Sequence, residues 1–494
     1  MERRDFLRLA GEAAIVGAFA SGCSKTGGSG PPTSSGPTPS SPATSSTSST
    51  TTTTRPPTPP TSAEWSRFGR SLDGRLVTPS SASYLVDAES YNPVFDDARP
   101  QAIAYVATPG DVSRAIGFGT ARSVPISVRS GGHCYGGWST GPGLVIDVSA
   151  LSSVSMAKGT GVVSAGSGTR LVDLYGTIAP FGRAVPGGSC PTVGIAGLAL
   201  GGGLGVLDRK FGLSCDNMVG ADIVLASGEL VTCDATRHED LFWALRGAGG
   251  GSFGVVTELR FTSHPIGDLG LFTLVWSWQH ASAAVRAWQS WAPSGPDELW
   301  SNCLLLASQS TPAGSAPVAR VTGVYAGSQA GLEAVLAPFV QAVGAAPFTR
   351  YVGTAGYLDT MLIEAGCDGD TIAECHLPSE NPAGVLSRAP FAARSDIVTS
   401  PLDSTGIATL LAAVEKRQSS PVLSGGGVAL DASGGAINRV PASATAFVHR
   451  DGLYTMQYSA NWPASASSSL VLANRSWLSQ SWTSMRAHVS GQAY

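Results

Sequence analysis

Two glycine-rich loops, each built around one nucleophilic side chain, limit what this chain can become. The first reads Val128-Arg129-Ser130-Gly131-Gly132-His133-Cys134-Tyr135-Gly136-Gly137. The second reads Gly187-Gly188-Ser189-Cys190-Pro191-Thr192-Val193-Gly194-Ile195-Ala196-Gly197 and runs on through Leu200-Gly201-Gly202-Gly203-Leu204-Gly205. Residues without Cβ let backbone N–H groups crowd against phosphates of a ligand. Taken singly, His133 reads as an ordinary loop histidine and Cys190 as a small buried hydrophobe. Taken together, an imidazole and a sulfur in such loops point to a flavin tethered at two places. The runs also alternate with Leu, Ile, Val and Ala, which flexible linkers lack.

These motifs resemble those of the berberine-bridge-enzyme-like flavoprotein oxidases, within the vanillyl-alcohol-oxidase / p-cresol-methylhydroxylase (PCMH-type) superfamily. There, R-S-G-G-H carries the histidine bonded to the flavin 8α-methyl group, and G-G-x-C-x-T-V-G carries the cysteine bonded to flavin C6. The resemblance assigns these roles to His133 and Cys190, within Arg129, Ser130, Gly131 and Gly132 and within Gly187, Gly188, Thr192, Val193 and Gly194. Gly197, Gly203, Gly254 and Val256 join them as expected FAD-binding positions. Further similar segments are Leu144–Val148, Arg209–Asn217 and Asp240–Gly247. The implied fold is α+β: a PCMH-type FAD-binding domain of two α/β subdomains over 63–265. A substrate domain over 266–494 follows, an antiparallel sheet flanked by helices whose end returns toward the FAD domain.

The N-terminus reads as an address. Arg3-Arg4-Asp5-Phe6-Leu7 resembles a twin-arginine export signal, and its apolar stretch to Phe19 is too short to span a bilayer. Ala20-Ser21-Gly22-Cys23 resembles a lipoprotein cleavage box that would leave a lipid on Cys23 and seat the protein on a membrane surface; a plainly cleaved signal (1–23) and secretion is the alternative. Residues 24–62 are almost wholly Ser, Thr, Pro and Gly, a composition that cannot bury apolar area and reads as a disordered stalk of roughly 35 Å. With 13% charged residues and a net charge of −4, nothing suggests a nucleic-acid partner. No metal-ligand spacing appears. Cys367 and Cys375 lie in a polar stretch and are expected to pair; Cys134, Cys215, Cys233 and Cys303 read as small buried residues.

Strands are expected at Ala102–Thr108, Val124–Val128, Leu144–Val148 and Val162–Gly166. A helix should begin at Asp111 as its N-cap, another at Leu171, and a hairpin should span Ala221–Cys233. Gly249–Gly254 satisfies G-x-G-x-x-G, yet a helix (Arg237–Leu245) precedes it and a strand (Val255–Phe261) follows, the reverse of a dinucleotide fingerprint. The family reading makes it a loop near the adenine-side phosphates. Beyond Gly267, strands are expected at Phe272–Trp278, Leu299–Leu306, Val318–Tyr325, Ser395–Thr399 and Tyr454–Ser459. Helices are expected at Ser282–Trp291, Leu332–Val343 and Thr405–Arg417. Trp276, Trp278, Tyr325 and Tyr458 are candidates to line a cleft.

The resemblance implies oxidation of alcohol groups of sugars, oligosaccharides or secondary metabolites, with O2 as acceptor and H2O2 as product. Val193 stands where a valine leaves room for oxygen, which favours an oxidase over a dehydrogenase with another acceptor. The proton acceptor is harder to read. Where some relatives carry a glutamate, aligning Tyr458 and Trp462 puts Thr455, which cannot serve. Others use the second tyrosine of a Y-x-N-Y segment, and here Tyr494 supplies only the first, so the chain resembles a C-terminally truncated member. Tyr135 is the leading candidate for an active-site hydroxyl and Tyr494 the second. A non-catalytic lipoprotein that binds flavin or sugar is the reading from another class.

Overall fold

The computed structural model describes residues 59–307, 317–420, 423 and 425–493. The twin-arginine segment, Cys23 and most of the Ser/Thr/Pro stretch lie outside them, as does Tyr494. The stretch ends about where its composition does: a helix begins at Ser62. Thr61 accepts from the Glu64 backbone N–H while the Glu64 side chain accepts from Thr61 in return, a reciprocal cap that starts a helix as soon as Trp65 and Phe68 offer an apolar face.

A small sheet comes first, in the order Arg75–Val77, Ala102–Tyr105, Leu144–Asp147, Ile126–Arg129. Its last three strands are parallel, and Leu144–Asp147 is buried throughout, as a central parallel strand between covered faces must be. The helix Pro109–Arg122 makes the crossover, packing Val112, Ala115 and Ile116 on Ala104 and Ile146. Its N-cap is Thr108, not Asp111. Proline at the first helical position moves the start forward, and Asp111 instead accepts from the backbone N–H groups of Asp73, Gly74 and Ala107.

A five-stranded antiparallel sheet follows, ordered Val154–Met156, Val162–Gly166, Val255–Thr262, Met218–Val224, Leu230–Cys233. The expected hairpin is its edge. Gly249–Gly254 joins the helix Glu239–Leu245 to the strand Val255–Thr262, so the order is helix, loop, strand.

The third sheet is antiparallel and seven-stranded: Thr349–Ala355, Leu269–Ser277, Val318–Tyr325, Leu299–Ala307, Gly426–Ala432, Tyr454–Asn461, Phe391–Val398. The helices Ala281–Ser294, Gln329–Val343, Ser404–Ser419 and Ser468–Ser484 share one core with it, built from Trp288, Phe339, Leu410 and Trp477 among others. Side-chain alternation sends Tyr454, Met456 and Tyr458 to this core and Thr455 and Gln457 to the opposite face. Trp276 and Tyr458 are therefore core, and Trp278 and Tyr325 pack on its margin; none of the four lines the cleft. Aromatic content alone does not say which face of a strand a residue takes, and it misassigned these four.

Candidate functional site

Both nucleophile loops leave the ends of elements that the sheets hold rigid. The strand Ile126–Arg129 delivers the first; the second ends at the helix Ile195–Leu200. They interlock backbone to backbone. A Cβ on Gly131 would sit on the backbone nitrogen of Gly194, and one on Gly194 would overlap the Ser130 hydroxyl. Ser130 Oγ in turn donates to the Ser167 carbonyl at 2.7 Å. Glycine is required at both positions because the two chains cross in contact.

This crossing brings the two side chains together. His133 Nδ1 lies 4.0 Å from Cys190 Sγ. His133 Nε2 shares a 2.8 Å hydrogen bond with Thr192 Oγ1, and the Tyr91 ring stacks on the imidazole at 3.6 Å between centroids. Burial, aided by the charge of Arg170, holds the His133 pKa well below the ordinary imidazole value, so the ring is neutral and keeps a lone pair. Cys190 is buried beside Tyr91, Phe391 and the Cys367–Cys375 disulfide. The disulfide that the sequence allowed is formed, and both its cysteines are fully buried although the surrounding stretch is polar. Cys215, Cys233 and Cys303 are buried, whereas Cys134 is partly exposed.

The pair opens into a cleft of about 1260 Å³ between the glycine loops and the third sheet. Ser130, Gly131, Gly132, His133 and Tyr135 line it from the first loop, and Gly188, Cys190, Val193, Gly194 and Gly197 from the second. Gly254 and Val256 line it from the third loop and the strand after it. Four expected residues do not. Arg129 is buried in an ion pair with Asp147 and donates to the carbonyls of Asp87 and Glu89. Gly187 lies under the Tyr175 ring and hydroxyl, and Gly203 against Ser214. Thr192 is fully buried behind His133. Their role is to shape the loops, which a motif match cannot separate from contact.

Tyr135 is 43% exposed, edge-on to Phe391 at 4.9 Å. Tyr494 lies outside the described residues, though Ala493 beside it lines the cleft. Thr455 lines it too, nearly buried, its hydroxyl without a hydrogen-bond partner in the protein. Two carboxyl groups that sequence reasoning missed share the wall, Asp208 and Asp431. Burial pushes each up to about 7. Asp208 follows a glycine run and precedes Arg209, so it resembles a surface ion-pair residue. Asp431 stands on a strand whose glycines hid it.

The lining fits a flavin dinucleotide. A Cβ built at Gly197, which lines the cleft, would meet nothing in the protein, so the backbone there is bare toward the cleft, while Gly249 and Gly251, which line it too, have φ of 91° and 81° that favour glycine whatever the space. Residues 100–234 match the FAD binding domain family. Chitooligosaccharide oxidase of Gibberella zeae is 30% identical over 76% of this chain and 74% of its own. The berberine-bridge-enzyme-like 1 protein of Physcomitrella patens superposes with a TM-score of 0.78 at 28% identity, covering 87% of this chain and 90% of that one. Two variants of the grass pollen allergen Phl p 4 superpose with a TM-score of 0.74 at 26% and 27% identity, over 85% of this chain and 84% of each. The one called a glucose oxidase differs from the one called a glucose dehydrogenase by an isoleucine-to-valine change.

Fold and cleft together define an FAD-dependent oxidoreductase of the PCMH-type, α+β architecture. The chain belongs to the berberine-bridge-enzyme-like family of FAD-linked oxidases.

Proposed function

We propose that this chain is an exported oxidase that holds FAD through two covalent bonds, from His133 and Cys190. Its substrates are small molecules carrying hydroxyl groups, sugars and oligosaccharides first and secondary metabolites next, with O2 as acceptor and H2O2 as product. The observation that carries the reading is the 4.0 Å approach of His133 Nδ1 to Cys190 Sγ at the inner end of a glycine-lined cleft. The two attachment atoms expected on the ring flank the same benzenoid edge, so the nucleophiles have to converge as these do.

FAD, when bound, supplies the two-electron acceptor for the substrate's carbinol hydrogen. His133 and Cys190 would hold the flavin by bonds to its 8α-methyl carbon and C6, each bond formed at the cost of one hydrogen from the side chain and one from that flavin carbon, with O2 as acceptor of the two electrons and two protons. The neutral His133 needs no deprotonation before it bonds, and Thr192 and Tyr91 hold its plane. Two covalent anchors leave little need for the protein to wrap the ring, and Trp138, 81% exposed, lines the cleft; such openness suits bulky, multi-ring substrates. Val193 lines the cleft near Cys190, and the Phl p 4 pair supports valine as a mark of oxygen use. Arg3-Arg4 and Cys23 support export with a lipid anchor, or secretion after cleavage.

The test is to purify the full chain, denature it, and ask whether yellow colour stays with the polypeptide. Peptides containing His133 and Cys190 should carry the added mass of a flavin fragment. Colourless polypeptide with both side chains unmodified sinks the covalent reading. Peroxide release with an alcohol substrate distinguishes the oxidase from a dehydrogenase, and absence of anaerobic bleaching by any alcohol would favour a binding protein.

A further inference from the structure

We propose that the substrate of this cleft carries a protonated primary amine, as an amino sugar does, and that Asp208, Asp431 and Thr455 hold that ammonium group. The inference rests on the reading that FAD occupies the cleft and that its substrates are hydroxylated small molecules.

Two elements far apart in the chain supply the wall. Across the third sheet Thr322 pairs with Asn302, Asn302 with Asp431, and Asp431 with Thr455, four neighbours in a row on four strands. Cross-strand partners present their side chains on the same face, and Asp431 and Thr455 both line the cleft. Asp208 opens the short helix Asp208–Phe211, which Arg209 ties to that sheet by donating to the carbonyls of Leu299 and Ser433. Asp208 lines the same cleft and is 2% exposed. Each residue keeps one acceptor that the protein does not use: Asp208 Oδ1, Asp431 Oδ1 and Thr455 Oγ1 are buried without a hydrogen-bond partner. Buried polar groups are rarely left so.

The other oxygens are committed. Asp208 Oδ2 accepts from the Gly205 backbone N–H at 3.0 Å. Asn302, whose Oδ1 accepts from Thr322 Oγ1 at 2.7 Å, has its amide N–H₂ free to donate to Asp431. No cation completes the set. Arg209 directs its remaining donors to the carbonyls of Pro293, Gly295 and Pro296. Lys210 pairs with Glu298 and Arg439 with Asp297. Elsewhere in the cleft Arg394 lies over the Trp482 ring and His449 shares a hydrogen bond with Gln492.

The donor count selects the ligand. An ammonium brings three N–H donors, a positive charge and no acceptor, against three unused oxygens on a wall with two carboxyl groups. A hydroxyl brings one donor and turns lone pairs toward the same carboxyl groups. Trp300, two residues before Asn302 and on the same face of its strand, also lines the cleft, and aromatic surface beside carboxylates favours a cation.

The electrostatics agree. Burial pushes Asp208 and Asp431 up to about 7, and the charge of Asp431 adds to the rise at Asp208 and at Glu364. The carboxyl groups of the wall therefore hold protons at pH 6. An ammonium beside them favours the ionised form, so its binding must release protons.

The experiment uses the full, flavin-loaded chain with glucosamine, N-acetylglucosamine and glucose, which share a ring and differ in charge. At pH 6 kcat/KM for glucosamine should exceed that for the other two by about 10-fold or more, the worth of a hydrogen bond to a charged group. Asp208→Asn should remove most of that preference, and Thr455→Val, on a different element, should narrow it. Independently of turnover, calorimetry at pH 6 in two buffers of different ionisation enthalpy should show proton release on binding glucosamine and none with glucose. Asp208→Asn should release fewer protons. Equal kcat/KM for the three sugars, or no proton release with glucosamine, overturns the proposal. A colourless parent protein would instead reject the flavin reading on which it rests.

Discussion

His133 Nδ1 and Cys190 Sγ lie 4.0 Å apart although 57 residues separate them in the chain. They meet because Gly131 and Gly194 let their loops cross without side chains between them. The first prediction follows from the pair. His133→Ala and Cys190→Ala should each retain flavin at the other tether, and the double variant should release it on denaturation. In-gel flavin fluorescence and peptide mass measure this. Complete loss of colour in Cys190→Ala would contradict two independent anchors.

Gly131 and Gly197 should respond oppositely to one methyl group. Gly131→Ala forces the Gly194 backbone aside and should cost about 1–3 kcal/mol of stability, read as a lower Tm of the flavin-free chain. Gly197→Ala meets no protein atom, so its Tm should hold while flavin retention falls. Equal effects at both sites would show that Gly197 is not kept bare for a ligand.

Asp208 should make stability depend on pH. Its folded pKa, about 7, stands above the ordinary value of 3.8. The folded state therefore binds the extra proton between those values, and its contribution is lost as pH rises from about 4 to 7. Asp208→Asn should match the parent Tm near pH 4 and exceed it near pH 8, by thermal melts in each buffer. His133, whose folded pKa is lowered, acts in the other sense, weakening the fold as pH falls below 6.5. The difference between parent and variant cancels that background.

Reducing the Cys367–Cys375 disulfide should lower stability by about 2–3 kcal/mol, since it closes a short loop. Because both sulfurs pack in one cluster with Cys190 and Tyr91, Cys367→Ser/Cys375→Ser should also slow flavin attachment. The measurements are Tm and the time course of covalent colour on adding FAD to the flavin-free chain. An unchanged time course would separate the disulfide from the anchor.

Val193→Ile should lower the ratio of reoxidation by O2 to anaerobic reduction, followed by stopped-flow absorbance of the flavin. A constant ratio would remove Val193 as the oxygen determinant.

Local patterns were legible in the chain itself. The apolar runs Val162–Gly166 and Val318–Tyr325 are strands with the expected bounds, and the Ser/Thr/Pro stretch stops near the helix at Ser62. The strand Gly426–Ala432 was not legible, because its glycines read as turn residues. Neither were Thr349–Ala355, the helix Tyr357–Glu364 and the long helix Ser468–Ser484, whose serines blur any apolar stripe. The motif match also swept in Arg129, Gly187, Thr192 and Gly203, which support the cleft from behind.

Residue order alone determined which chemistry is on offer: an imidazole and a thiol in glycine loops, on a chain with core enough to hold a dinucleotide. Tertiary structure decided that the two loops cross, that Thr322, Asn302, Asp431 and Thr455 line up, and that the aromatics Trp276 and Tyr458 turn away from the cleft. The reason is range. Backbone preferences and short periods act over a few residues and leave a mark in the sequence, whereas strand register joins positions more than a hundred residues apart and depends on which faces the whole core buries.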